Sequence, residues 1–223
     1  MEGVSGPVLT GTSVIGIKYK NGVMLAADCL GSYSSLARYK DVERLAGVDK
    51  TTVVGTSGDI GDMQETIRLL GLKAKENRCW EDGVCLSPRY VFNHLTRTLY
   101  ARRTKMRPLW NKHVVAGVDN ITGECFLGAV THLGGSYEDD TIATGFGAYL
   151  AQPLMRKKLD EKQGETSGLG EEEAVKLLEE CMRVLYCRDA RSMDKIQMAR
   201  VTKDGVVISE PYKIEVDWNC AHC

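Results

Sequence analysis

The chain has 223 residues, with 29 lysines and arginines against 30 aspartates and glutamates, for a formal net charge of -1. That balance gives no pull toward nucleic acid or an anionic membrane surface, and no apolar run approaches the length of a membrane span. At 43% hydrophobic and 26% charged residues the composition is that of an ordinary globular chain, long enough to bury one full core.

The opening MEGVSGPVLTG has neither a basic head nor an apolar middle, so no secretory leader is expected. The next stretch predicts a hairpin. VIGIKY (14–19) alternates with period two and puts Ile15, Ile17 and Tyr19 on one face. Asn21-Gly22 is a strong two-residue turn signal, because both residues tolerate positive φ. VMLAAD (23–28) returns as a strand apolar on both faces, which predicts a sheet covered on both sides. TTVVGTSG (51–58) is a further strand and leads into a helix with Ile60, Met63, Ile67, Leu70 and Ala74 at helical spacing. Ser87-Pro88 reads as N-cap and first helical residue. The helix behind it carries Val91, Leu95 and Leu99 and fades into ARRTKMRP.

HVVAGVD (113–119) and ECFLGAV (124–130) predict a hairpin around residues 120–123. Asn120-Ile121-Thr122 spells a glycosylation acceptor, but here it reads as a turn. Helices follow near 147–159 and 171–187, then a hairpin of IQMARVT (196–202) and GVVISE (205–210) across Lys203-Asp204, and a short strand at YKIEV (212–216). Helix pairs between hairpins do not wind as βαβ units. They predict antiparallel sheets covered by helices, an α+β sandwich.

Eight cysteines do not require a disulfide framework in a chain of this length, and they read as reduced and mostly buried small hydrophobes. Cys220-Ala221-His222-Cys223 resembles half a zinc site, yet it supplies at most three of four ligands, so a mobile tail is expected and no metal. His94, His113, His132 and His222 share no metal spacing. The basic run Arg102 to Arg107 reads as a solvated surface.

Thr12 follows Gly11 at the head of the first hairpin. A threonine hydroxyl is a poor nucleophile without a base beside it. The hairpin ends in Asp28, and YCRDARS (186–192) brings Asp189 and Ser192 just after a helix. With TSVIGIKYKNGVMLAAD, GSYSSLARYKDVERL, GTSGDIGDMQ, ATGFGAYL and YCRDARS, the sequence resembles the β-type subunits of the 20S proteasome, members of the N-terminal-nucleophile hydrolases. The likeness runs from about Thr10 to Trp218. GSYSSLAR, RRTKMRPLWN and IATGFGA resemble the non-catalytic members of the seventh β-ring position.

The resemblance implies a four-layer αββα sandwich of two antiparallel sheets. It divides the chain into an extension or short pro-segment (1–11), one domain (12–218) and a C-terminal tail (219–223). In active members a cut after glycine frees an N-terminal threonine, which attacks the peptide carbonyl with help from a lysine, two aspartates and a pair of serines. Carried over by position, Thr12 matches the nucleophile, Gly11 the residue before the cut, and Asp28, Asp189 and Ser192 the supporting groups. Two positions depart. Arg44 stands where the lysine belongs, and Phe146, between Gly145 and Gly147, stands where the other serine belongs.

An arginine stays protonated and has no lone pair to exchange protons. Phenylalanine has no hydroxyl to donate. With residues still attached before Thr12, the threonine nitrogen is an amide and no base. The expected catalytic set is therefore none: Thr12, Asp28, Arg44, Phe146, Asp189 and Ser192 are degenerate positions. Arg44, with its planar fork, is expected to pair with Asp28 or Asp189.

The resemblance implies a non-catalytic structural subunit that completes the β-ring and walls the chamber for ubiquitin-dependent degradation, in cytoplasm and nucleus. Its partners would be the other α and β subunits of a four-ring hetero-oligomer: neighbouring β subunits, the α-ring and the opposing β-ring. No cofactor, metal, nucleic acid or membrane is implied. On this likeness the run Arg102 to Arg107, with Pro108, Leu109 and Trp110, becomes an inter-subunit surface. The family's long C-terminal arm to the opposing ring is not expected after Trp218, only a short contact. The alternative is an active threonine endopeptidase with Thr12 unmasked as nucleophile.

Overall fold

The computed structural model describes residues 8–80, 85–162, 168–216 and 218. In chain order the first strands are β1 (Leu9–Gly11), β2 (Val14–Tyr19), β3 (Gly22–Asp28), β4 (Gly31–Tyr33), β5 (Leu36–Tyr39), β6 (Leu45–Asp49) and β7 (Thr52–Asp59). Helices α1 (Ile60–Arg78) and α2 (Pro88–Thr104) follow, then β8 (Asn111–Val118), β9 (Cys125–Val130), β10 (Ser136–Glu138) and β11 (Thr141–Ala143). Next come α3 (Gly147–Glu161) and α4 (Glu171–Arg188), and last β12 (Lys195–Thr202), β13 (Gly205–Ile208) and β14 (Tyr212–Lys213).

All strand pairs are antiparallel and form two sheets. One runs β10-β9-β8-β7-β1-β4-β5, with β6 also paired to β7; the other runs β11-β2-β3-β12-β13, with β14 also paired to β12. Period-two alternation sorts the side chains into layers. Ile15, Ile17 and Tyr19 of β2, with Met24 and Ala26 of β3, face α3 and α4. Val14, Val23, Leu25 and Ala27 face the other sheet, against Val53, Val114, Ala116 and Leu127. On the far side Val54, Val115 and Val130 meet Leu70, Val91, Leu95 and Leu99 of α1 and α2. This is the four-layer αββα sandwich, and it is why β3 is apolar on both faces.

Local signals placed the helices well. The Asp59 side chain caps α1 by accepting from Asp62 N, and Ser87 caps α2 by accepting from Tyr90 N, with Pro88 inside the first turn. The first turn differs from expectation. Tyr19 pairs with Gly22, so the loop residues are Lys20-Asn21, and none of the three has a positive φ. Gly22 is required by packing instead: a Cβ there would overlap the Val201 carbonyl oxygen of β12. The expected strand at 212–216 is shorter, since only Tyr212 and Lys213 pair with β12.

Six free cysteines are described. Cys29 and Cys181 are buried, Cys85, Cys125 and Cys187 are half-buried and Cys79 is exposed, so burial is not the common rule expected for them. The residues 220–223 of the zinc-like cluster lie outside the described residues. Residues 101–107 are exposed, but Leu109 is buried among α1 and α2, which removes it as a surface anchor. No described helix is long and apolar enough to cross a membrane.

Candidate functional site

Thr12 and Ser13 carry the chain from β1 in the larger sheet to β2 in the smaller one. Asp28 ends β3, Arg44 precedes β6, Phe146 precedes α3 and Asp189 ends α4, so five elements deliver side chains to one end of the interface between the sheets.

Arg44 is the centre of this arrangement. Only 1% of it is exposed, an unusual burial for so large a cation. Its Nη2 donates to Asp28 Oδ1 in an ion pair whose side chains are both fully buried. Nε donates to Asp28 O at 2.9 Å, Nη1 to Thr12 O at 2.9 Å and Thr56 O at 3.3 Å, and Nη2 also to Ser13 O at 3.0 Å. Of the two carboxylates expected to bind it, Asp28 is the partner. Burial pushes the Asp28 carboxyl above the usual carboxylate range, and the guanidinium opposes that rise.

Asp189 does something else. Its Oδ2 accepts from Thr12 Oγ1 at 2.5 Å, and its Oδ1 accepts from Arg191 N at 2.9 Å. Ser192 turns away from Thr12: its hydroxyl donates to Leu185 O at 3.1 Å and Asp189 O at 2.8 Å, which closes the last turn of α4. Phe146 is 56% exposed and brings an aromatic ring to a position the resemblance assigns to a hydroxyl.

Several residues of the site carry no signal in the sequence. Ser13 is buried; its Oγ accepts from Gly147 N at 2.9 Å and its carbonyl accepts from Arg44. Thr56 Oγ1 shares a 3.0 Å hydrogen bond with His113 Nδ1, and His113 is fully buried. Desolvation pushes the His113 pKa down to about 4, so the imidazole is neutral at pH 7. Beside Thr12 a cleft of about 290 Å³ is walled by Trp110, Asn111, His132, Phe146 and Asp189, with the Trp110 and His132 rings stacked at 5.7 Å. No cluster of three or more metal-ligating side chains occurs among the described residues.

The strand leading into Thr12 is stitched on both sides. Thr10 and Gly11 pair with Asp59 and Gly58 of β7, while Leu9 and Thr10 pair with Tyr33 and Ser32 of β4. Gly11 sits directly over the Arg44 stem, where a Cβ would collide with Arg44 Cδ and crowd Nε. Gly11→Ala is therefore expected to destabilise the chain by about 1–3 kcal/mol through overpacking, read as a lower midpoint of urea unfolding. An unchanged midpoint would mean that the Arg44 side chain moves aside at no cost.

Chemically, the site holds a hydroxyl on a carboxylate, but the basic group beside it is a guanidinium locked onto four carbonyls and a second carboxylate. It fixes backbone and charge; it cannot take a proton.

Comparison with known proteins gives one family and a consistent set of relatives. The family model described as "Proteasome subunit" matches residues 8–201. "Proteasome subunit beta type-4" of Arabidopsis thaliana is 46% identical over 212 residues, covering 95% of this chain and 83% of that protein. The Xenopus laevis protein of the same name is 46% identical over 216 residues, covering 97% and 87%. "Proteasome subunit beta type-7" of Saccharomyces cerevisiae is 44% identical over 221 residues, covering 96% and 82%.

Proposed function

The chain belongs to the proteasome subunit family, and from that premise we propose that it is a non-catalytic β subunit of the 20S core particle. The observation that carries this reading is Arg44. An N-terminal-threonine peptidase needs a group that relays a proton from the hydroxyl. Here the cationic position is an arginine, spent on Asp28 and on the carbonyls of Thr12, Ser13 and Thr56. Phe146 removes a second donor, and the pairing of Leu9–Gly11 between β4 and β7 gives the segment before Thr12 a structural place of its own. Thr12, Asp28, Arg44, Phe146, Asp189 and Ser192 are then the degenerate remains of a catalytic set.

The work of such a subunit is assembly. It joins other α and β subunits in a four-ring hetero-oligomer, between neighbouring β subunits, the α-ring and the opposing β-ring. There it walls the chamber in which ubiquitin-tagged proteins are degraded, in cytoplasm and nucleus. Large exposed apolar side chains support this: Tyr33, Leu36 and Tyr39 on the β4–β5 hairpin, and Phe146 and Tyr149 at the start of α3, are all at least half exposed. Apolar surface of that kind marks contact with other proteins.

One observation favours the alternative, an active threonine endopeptidase: the 2.5 Å bond from Thr12 Oγ1 to Asp189 keeps the hydroxyl in contact with a carboxylate. Thr12→Ala separates the two. The peptidase activities of particles carrying this change are expected to stay within about twofold of wild type, because a part-buried polar contact is lost and no chemistry. A loss of about a hundredfold or more in one activity, of the size expected when a nucleophile is removed, would sink the structural reading. The intact mass of the chain from native particles decides the same point. Residues retained before Thr12 leave no free threonine amine, whereas a mass starting at Thr12 exposes one.

A further inference from the structure

From the middle of α2 into β8 the chain has no acid. Residues 97–112 carry six lysines and arginines, and the flanking acids in sequence are Asp82 and Asp119. All six cations are exposed. Among the described residues none of them has an ion pair, and the carboxylate that meets this stretch, Asp62, accepts from the Trp110 backbone N–H at 2.8 Å. On a chain of formal net charge -1, this concentrates an unanswered positive field at one turn.

The end of α2 draws these charges together. Met106 N donates to Arg103 O at 3.0 Å and Arg107 N donates to Arg102 O at 3.1 Å, the two bonds that close a Schellman cap. Such a cap often joins apolar residues at the positions held here by Arg102 and Arg107, so here it brings like charges side by side. Arg102 and Arg103 also answer the carboxyl end of the helix dipole. That accounts for two charges in the last turn and leaves Lys105 and Arg107 beyond it.

The apolar side chains here are as unusual as the charges. The cap needs a left-handed residue, a place where glycine is the usual choice, and Met106 fills it at φ +55. Its side chain gains no burial in return, since it is 78% exposed. Tyr100, near the end of α2, is half-exposed, with the Arg103 guanidinium 5.9 Å from its ring centre. The backbone of Gly134 presses on Tyr100 and brings the turn that carries exposed Leu133 against it. A strained conformation kept to hold an apolar side chain in water is explained by a partner that covers it.

We propose that this surface docks an acidic segment of a neighbouring protein chain, whose carboxylates bridge Arg102 and Arg107 and whose apolar side chain covers Met106. The inference rests on the reading of this chain as a subunit of a larger assembly. Arginine forks suit carboxylates, and a methionine adapts to the side chain laid on it. Arginine, methionine and aromatic residues, the three kinds gathered here, are those enriched where proteins meet. A nucleic-acid backbone would answer the charges and leave Met106 uncovered.

The test is carbodiimide cross-linking of assembled particles, read by mass spectrometry. The reagent couples a lysine amine to a carboxylate already in contact with it. Lys105 is expected to join an aspartate or glutamate of another chain. The double change Arg102→Ala with Arg107→Ala is expected to cut the yield of that product about fivefold or more, as for anchoring arginines of an interface. Lysine at both positions is expected to recover part of it, because charge returns without the fork. Met106→Gly separates docking from a purely structural role. Glycine relieves the left-handed conformation, so the urea midpoint of the free chain is expected to hold or rise. The cross-link is expected to fall about threefold or more, since the apolar contact is gone. A purely structural Met106 would leave the cross-link unchanged. The proposal is overturned if Lys105 in particles joins only carboxylates of its own chain, or none, or if ultraviolet light links this segment to nucleic acid instead. A chain that enters no particle sinks the assembly reading itself, whereas a chain present in particles without this cross-link sinks the inference alone.

Discussion

Arg44→Ala is expected to destabilise the chain by about 3–5 kcal/mol, the range seen when one partner of a buried ion pair is removed. Two losses combine. Asp28, 1% exposed, is left as a buried carboxylate without its counter-charge. The carbonyls of Thr12, Ser13, Asp28 and Thr56 lose the donor they share. Arg44→Lys is expected to recover only part of this, because an ammonium has three donors at one point and cannot reproduce a fork spread over five acceptors. Pairing Arg44→Met with Asp28→Leu removes both charges and is expected to be milder than Arg44→Ala alone, though still destabilising, since the carbonyls remain unpaired. Urea unfolding of the four proteins orders them. A change of less than about 1 kcal/mol for Arg44→Ala, the size of an ordinary surface substitution, would mean that Arg44 is no structural keystone. The case that a salt-bridge cluster replaced a catalytic one would then be lost.

Acidification is expected to weaken the fold through His113. Burial holds its imidazole neutral in the folded chain, with the pKa pushed from 6.5 down to about 4. The unfolded chain therefore binds the proton first. Above pH 6.5 both states are neutral and the full stability is present; it is lost progressively as pH falls from about 6.5 to about 4, and no further below that. At ~1.36 kcal/mol per pKa unit the loss amounts to about 3 kcal/mol. His94 and His132 are also pushed down by burial, but both are partly exposed and add less. Asp28 works in the opposite sense at the acid end, since its raised pKa lets the folded chain take up that proton first. The difference between wild type and His113→Asn isolates the imidazole, because the asparagine amide can keep the contact with Thr56. The variant is expected to lose the slope between pH 6.5 and 4 while remaining less stable at pH 7 from the smaller side chain. Parallel pH curves for the two proteins would place the acid sensitivity elsewhere.

The two largest effects thus come from residues of very different visibility. Arg44 could be picked out because it departs from a pattern at a fixed distance from Asp28. His113 could not. It lies in VVAGV-type surroundings as one polar residue of a strand, and the Thr56 that holds it is 57 residues away in sequence. The same holds for Ser13, whose partners Gly147 and Arg44 arrive from α3 and from the segment before β6.

Sequence by itself determined the elements whose signals are local. Period-two and helical spacing, the Ser87-Pro88 start, the turns before Gly123 and Gly205, and the alternation of strands and helix pairs all read correctly, because each depends on neighbours within a few residues. The family resemblance also picked out Thr12, Asp28, Arg44, Phe146, Asp189 and Ser192 as candidate positions, and in the structure Arg44 pairs with Asp28, Asp189 accepts from Thr12, and Ser192 bonds back to the end of α4. What only the tertiary structure decided depends on residues far apart in the chain. The strands β1, β4, β5, β6, β10 and β11 have three to five residues each and too little periodicity to read; they exist because neighbouring strands in the sheet offer them edges to pair with. Gly22 reads as a turn residue until β12 is seen pressed against it. Arg44 had two carboxylates within its chemistry, and the choice of Asp28 over Asp189 follows from which ends of β3 and α4 the sandwich brings to it. A charge buried between two sheets has no position until both sheets are built.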